Sequence, residues 1–453
     1  MQDLTTGSIA SHLLKTTSFM LVSMVFQTLY VLVDLYWAGR LGTSAVAAVG
    51  IGSNLMFIVL AITQTLGVGT TTLIAHATGR KDHDRALLVF NQSQVLSFFV
   101  AVAFLAIAWV AREPYAAWLS ADAETARLSV QFLNWMIPAM ALQFTMVAMG
   151  SAMRGMGDFK PGMIVQTATI IINILLAPFL IFGWGTGYAM GVAGAAASTF
   201  VAIVVGVVWL LTYFVGPKAF LKFVPADWAP KFGLWWEMLR IGLPAGAEFA
   251  MLAVYLGLVY KIIQPFGASA QAGFTFGQRI VQSLFLPVVA LGFAVGPVAG
   301  QNFGARRGDR VRETFRVAAL MSAGVMLVFV GLAHIAPAAM IRVFTDDPGT
   351  VSVGDEYLRI VSYNFVASGI VFVSSSMFQA MGNTIPSLMT SVARVVLIAI
   401  PAVLLARMTG FALNWIWYLS VLAVALQMCL NLLLLRREFR LRLNFQPASP
   451  ANV

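Results

Sequence analysis

Apolar residues in this chain come in long unbroken runs, not in the alternating or three-to-four spacing of half-buried elements. A helix needs about 20 apolar residues to cross the hydrocarbon core of a bilayer. Twelve runs of that order lie at 13–37, 44–75, 88–111, 128–150, 161–182, 189–214, 239–263, 268–300, 314–337, 357–381, 386–408 and 413–435. Strands of a lipid-facing barrel are shorter and alternate at period two, so runs of this length favour helices. The pattern predicts an all-α polytopic membrane protein with twelve transmembrane helices. The runs 44–75 and 268–300 exceed a bilayer's thickness and are rich in glycine, so they are expected to tilt or to continue beyond it.

The polar connections set the orientation. Of the 28 Lys and Arg residues, eighteen fall in alternate connections, from Arg80, Lys81 and Arg85 to Arg436, Arg437, Arg440 and Arg442. Seven, among them Arg40, Arg112 and Arg407, fall in the other set, and Lys15, Arg279 and Arg394 lie within runs. Cytoplasmic loops carry the cationic excess, so both termini are expected in the cytoplasm. The net charge of +10 is therefore read as a topology signal and not as a nucleic-acid surface. The start, MQDLTTGSIASHLLK, has neither a basic opening nor a small-residue cleavage site, so the first run is expected to stay as a span.

The chain also matches itself at an offset of 225 positions. Gly42, Ser44, Ala45 and Ala47 fall on Gly267, Ser269, Ala270 and Ala272, and Asp84-Arg85 on Asp309-Arg310. Asp122 falls on Asp347, and Met156-Gly157 with Pro161 on Met381-Gly382 with Pro386. Shared glycines, loop charges and a proline at one offset exceed what apolar composition produces by itself. Six spans separate equivalent positions, so the halves are parallel repeats. The expected organisation is a six-helix lobe over 1–214, a cytoplasmic connection over 215–238, a second six-helix lobe over 239–436 and a cytoplasmic tail over 437–453. The connection carries Trp228, Trp235 and Trp236 among lysines, a composition that suits the membrane interface and its anionic headgroups.

Composition narrows the function. Hydrophobic residues make up 60% and charged residues 10%, against about 45–50% and 25% in soluble domains. Too few polar side chains remain to cover a water-facing enzyme. Cys429 is the only cysteine, which excludes an intrachain disulfide and a CxxC site. The histidines, His12, His76, His83 and His334, make no HExxH, and neither a GxSxG elbow nor a P-loop occurs. Neither hydrolysis nor ATP binding is supported, so no enzyme and no organic cofactor is expected, and energy would come from an ion gradient.

Two acids stand well inside apolar runs, Asp34 in the first and Glu248 in the seventh. A carboxylate there costs about 2.5–3.5 kcal/mol on insertion scales and marks a pathway or relay. Asp34 lies near the outer end of its run, so the alternative is a side chain that reaches the headgroups. Glu248 follows Pro244 in LPAGAE, where the proline frees a backbone carbonyl. Its alternative is a structural salt bridge with Arg279 or Arg394. The two acids are not repeat mates, since Asp34 maps to Val259 and Glu248 to Ser23.

These segments resemble the multidrug and toxic compound extrusion (MATE) family. The resemblance rests on VDLYWAGRLGTSAVAAVG at 33–50, MRGMGDFKP at 153–161, NILLAP at 173–178, GVAGAAAST at 191–199, IGLPAGAE at 241–248 and VAGQNFGARRGDR at 298–310. It implies two six-helix lobes around a V-shaped cavity, and export of organic cations and drugs driven by inward H+ or Na+. By resemblance, Asp34 is the first-helix aspartate of cation coupling, Asn173 and Thr199 are its polar partners, and Glu248 is the acid after the seventh-helix GLP. The family often has Asp before the proline of the fifth-helix motif, and here that position is Ala177. The loss of that carboxylate favours H+ over Na+ as coupling ion. The implied setting is the inner membrane of a bacterium, with lipid and a small-molecule drug as partners and a monomer as the working unit. A major facilitator, whose loop between spans two and three reads like GxxxDRxGRR, fits GRKDHDR poorly. A lipid-linked or metabolite flippase of the same superfamily is the other alternative, although a basic cavity would fit it better than Asp34 and Glu248.

The charge pattern carries a topology test. With Cys429 replaced by Ser, a cysteine introduced at Gly185 is expected to react with an impermeant maleimide from outside intact cells. One at Asp309 should react only after permeabilisation, and the reverse pattern would refute the orientation.

Overall fold

A computed structural model describes residues 2–185, 187–216, 219–405, 408 and 410–445. The side chains of Val31, Asp34 and Leu35 lie outside that description, as do Pro217, Lys218, Arg407 and residues 446–453 of the tail. In the first half the helices are α1 (Ile9–Gly39), α2 (Thr43–Gly79), α3 (His83–Leu119), α4 (Ala123–Gly155), α5 (Lys160–Phe182) and α6 (Val192–Val215). The second half holds α7 (Phe232–Ile263), α8 (Ala268–Gly304), α9 (Gly308–Ile335), the short α10 (Pro337–Arg342), α11 (Pro348–Val361), α12 (Asn364–Ala380), α13 (Ile385–Leu405) and α14 (Asn414–Arg442). Among the described residues, eleven helices are long and apolar enough to cross a membrane, and one bent pair brings the total to twelve.

That pair corrects the tenth run. In place of one span over 357–381, α11 begins at Pro348 and meets α12 at an angle of 57°. Asp355, Glu356 and Arg359 interrupt the apolar pattern of α11, which hid its start. The break falls at Ser362-Tyr363, where the Ser362 hydroxyl donates to the Arg359 carbonyl at 2.8 Å. A side chain that takes the carbonyl of the preceding turn competes with the helix, and Ser, Tyr and Asn in succession are poor helix formers.

The repeat is visible in the backbone. Helices α2, α3, α4 and α5 begin at residues 43, 83, 123 and 160, and α8, α9, α11 and α13 begin 225 positions later, at 268, 308, 348 and 385. Register slips only in the last connection, where α6 starts at Val192 and α14 at Asn414. Helix ends are copied too. Gly157 and Gly382 both take positive φ, 78° and 75°, and the amides that follow reach back to Met153 and Phe378, each at 3.0 Å. This is the left-handed helix stop that glycine permits without a Cβ penalty. Lys81 and Arg306, also mates, hold positive φ of 60° and 57° without being glycine. At the next helix starts the loops diverge, because Asp82 caps α3 through the Arg85 amide at 3.0 Å while Arg307 makes no side-chain cap.

Packing divides the chain differently from the repeat. One compact unit holds Met1–Asp3 and Ser18–Gly246, the other Leu4–Thr17 and Ala247–Val453. In the first unit α4 packs on α2, α3 and α6, and α5 on α6. In the second the same partners recur, α12 on α8, α9 and α14, and α13 on α14. The opening helix of each half begins in the other half's unit. Leu4, Ile9 and Leu13 pack with Leu291, Val295 and Phe378 in the second unit. The Leu4 amide donates to Gln301 at 3.0 Å, and Arg307 and Arg310 donate to the carbonyls of Thr5 and Gly7 at 2.8 and 2.9 Å. In the first unit, Leu234, Met238 and Ile241 join the cluster of Leu66, Val89 and Phe90. A Cβ on Gly242 would overlap the Thr65 carbonyl, and one on Gly246 would meet the Ala61 carbonyl at 2.6 Å. Small residues four apart allow this approach of helix backbones. Two of the connection's tryptophans are also committed to protein, with Trp228 and Trp235 donating to Asn91 and Gln92 at 3.1 and 2.8 Å.

Asp122 and Asp347 cap equivalent helices. Asp122 accepts from the Thr125 amide and hydroxyl at 2.7 and 3.0 Å, and Asp347 from the Thr350 amide and hydroxyl at 2.8 and 2.6 Å. The Thr125 amide, then its hydroxyl, hold the Asp122 carboxyl below its ordinary range. The Thr350 hydroxyl, then its amide, do the same for Asp347. A depressed carboxyl stabilises the fold above its unfolded pKa and loses that effect as pH falls through its folded value. Asp122→Ala and Asp347→Ala are each expected to lower the melting temperature of the purified protein. The deficit should be constant from about pH 5 to 8 and shrink below about pH 4. A deficit that grows on acidification would refute the capping role.

Candidate functional site

Each unit carries a polar cluster that joins several of its spans. In the first, Asn173 of α5 donates through Nδ2 to Thr199 Oγ1 of α6 at 2.9 Å and to Ser198 Oγ at 3.3 Å. The Thr199 hydroxyl also meets the Tyr30 hydroxyl of α1 at 3.0 Å. Asn173 and Thr199 are buried, and Asn173 Oδ1 is buried without a hydrogen-bond partner. An orphaned acceptor at membrane depth is costly and leaves room for a donor or a cation. Asp34 sits on α1 one turn after Tyr30, on the same helix face, but its side chain lies outside the described residues. The sequence reading named Asn173 and Thr199 and missed Tyr30 and Ser198. Tyr30 has a signal in retrospect, because its repeat mate is also a tyrosine, Tyr255.

In the second unit Glu248 lies on α7. Its Oε1 accepts from Ser375 of α12 at 3.3 Å, from Ser391 of α13 at 3.3 Å, and from Ser387 of α13. Ser391 in turn accepts from Gln427 of α14 at 3.3 Å. Hydroxyl donors favour the ionised carboxylate and offset part of its desolvation. Among the described residues Oε2 makes no hydrogen bond. Neither Arg279 nor Arg394 forms an ion pair with Glu248 among the described residues. Arg394 instead stands over the Tyr255 ring, 5.6 Å from its centroid. Tyr255 reaches Ser420 of α14 at 3.5 Å, as Tyr30 reaches Thr199 of α6. The serines and Arg394 were absent from the sequence reading, because single hydroxyls in apolar helices stand out only once their positions converge.

Each unit thus offers several oxygen atoms to a proton or a hard cation, and the second adds a carboxylate partner for an organic cation. The MatE family profile matches residues 20–179 and 244–405. The chain belongs to the MatE family. It is therefore a multi-pass membrane transporter with the two-lobe MATE fold. The probable multidrug resistance protein YoeA of Bacillus subtilis is 25% identical over 414 residues, covering 90% of this chain and 89% of that protein. The FAD transporter of Shewanella oneidensis is 24% identical over 375 residues, 82% of each chain. A solved outward-facing structure of a multidrug resistance MATE family transporter has a TM-score of 0.90 at 22% identity over 98% of both chains, a likeness of fold.

Proposed function

We propose that this MatE chain exports lipophilic organic cations by alternating access, in exchange for an inward-moving cation, with H+ favoured over Na+. The observation that carries the reading is Glu248, a carboxylate inside an apolar helix with one oxygen held by three serines and the other free of hydrogen bonds among the described residues. At low dielectric such a group attracts an organic cation far more strongly than it would in water. The relative called a probable multidrug resistance protein supports this substrate class. The setting that fits is a bacterial inner membrane with both termini in the cytoplasm, and a monomer suffices because each chain contains both clusters.

Coupling is assigned to Asp34 with Asn173 and Thr199. A proton on Asp34 removes its charge and turns an acceptor into a donor, which changes what α5 and α6 offer it. A two-state helix biased in this way links proton entry to drug exit. A Na+ ion wants several oxygen ligands, by analogy with other hard cations, and Ala177 stands where a second carboxylate would be. A second reading, export of an anionic metabolite, draws on one observation, the guanidinium of Arg394 near Glu248, and on the relative named for FAD.

In proteoliposomes, an imposed pH gradient without Na+ is expected to drive drug efflux. Robust efflux on a Na+ gradient alone, with none on the pH gradient, would refute the choice of ion. Asp34→Asn should abolish gradient-driven flux while leaving drug binding partly intact.

Glu248→Gln is expected to weaken transport of a lipophilic cation by about tenfold and transport of a neutral compound much less. Equal loss for both classes would make Glu248 structural.

A further inference from the structure

Arg394 is a charged group inside the spans that the cation-export reading leaves unused. A guanidinium carries five N–H donors in a planar fork. In this chain Nε is buried without a hydrogen-bond partner, and among the described residues neither terminal nitrogen donates a hydrogen bond. Its contact is the Tyr255 ring, two turns after Glu248 on α7, and one turn before Arg394 on α13 Ser391 donates to Glu248. Glu248 mirrors it, with Oε1 occupied and Oε2 idle. Two opposite charges sit within one unit, on α7 and α13, without pairing. Leaving Nε buried and idle in an apolar segment is costly, and with the terminal nitrogens also uncommitted the fork is free to receive an acceptor. Gln427 Oε1 is a further buried polar atom without a partner, on the residue that donates to Ser391.

The repeat isolates this feature. The mates of Glu248, Arg394, Ser387 and Ser375 are Ser23, Thr169, Gly162 and Gly150. The first unit carries no charge at any of these positions, so the charged pair is an addition of the second half and not part of the shared scaffold.

We infer that Glu248 and Arg394 together form a site for a ligand that is both cationic and anionic, an amine meeting Glu248 Oε2 and a carboxylate or phosphate meeting the Arg394 fork. This rests on the export reading and narrows its substrate class from organic cations to zwitterions. A bidentate guanidinium–carboxylate contact is geometrically selective, so Arg394 is the specificity residue and Glu248 serves cations and zwitterions alike. The Tyr255 ring holds the guanidinium by cation–π attraction while the site is empty.

The test uses the purified full-length chain and a matched ligand pair, norfloxacin, which carries a piperazine amine and a carboxylate, and its ethyl ester, which keeps only the amine. Arg394→Gln is expected to weaken norfloxacin binding about tenfold or more and ester binding by no more than about twofold. Glu248→Gln should weaken both. Arg394→Lys, which keeps the charge without the fork, should fall between wild type and Arg394→Gln for norfloxacin and leave the ester unchanged. It also decides the matter where Arg394→Gln fails to fold. Equal loss of both ligands in the Arg394 variants, no loss of either, wild type that prefers the ester, or wild type that takes FAD and neither member of the pair would each overturn the zwitterion site. Wild type that takes none of the three ligands would overturn the export reading itself.

Discussion

A polar group left without a partner in hydrocarbon costs several kcal/mol, and this constraint shapes the molecule at every level. It forces each span into a helix, where the backbone satisfies itself. It gathers the few intramembrane polar side chains into clusters, because each needs the others. It also makes any orphan informative. Asn173 Oδ1, Gln427 Oε1 and Arg394 Nε belong to the atoms buried without partners among the described residues, and they are the ones that the export proposal assigns to cargo or a coupling ion.

Duplication provides the frame on which those clusters are placed. Helix starts, left-handed stops and capping aspartates recur at one offset through α13, so the two halves share one backbone frame, broken by the bend between α11 and α12 where α4 is continuous. What differs is the side chains pointed into each half. The Tyr30 and Tyr255 mates keep one contact in common, a tyrosine on the opening helix reaching a hydroxyl on the last helix. Around that shared contact the described side chains of the first unit are neutral, and those of the second include a carboxylate and a guanidinium.

Much of this was legible in the sequence. Run length gave the spans, because insertion depends on local composition. The repeat was legible because glycines and caps answer to backbone geometry that both halves share. Asn173, Thr199 and Glu248 could be named because polar groups in apolar helices are rare. Three things were hidden. The bend at Ser362-Tyr363 depends on a local hydroxyl competing for a carbonyl, and polar residues in α11 masked that helix's start. The exchange of opening segments between units depends on long-range packing, as with Leu4 against Val295 or Gly242 against Thr65. The serine collar of Glu248 needs α12 and α13 to converge, and no spacing in the chain announces that.

The separation of Glu248 from Arg394 is itself an argument about transport. Were the two paired, their mutual attraction would offset much of the desolvation cost, and the unit would be more stable and less able to bind. Serine hydroxyls hold the carboxylate on one side and a tyrosine ring holds the guanidinium on the other. Each is a weaker partner than the opposite charge, so the pair is kept apart at some cost in stability. A ligand that bridges both recovers that cost on binding, and once it leaves the charges are again unsatisfied. Site strength then depends on which state of the transporter permits bridging. A ligand shifts a conformational equilibrium only through such differential affinity, so an unpaired charge couple is a direct way for cargo to drive the exchange.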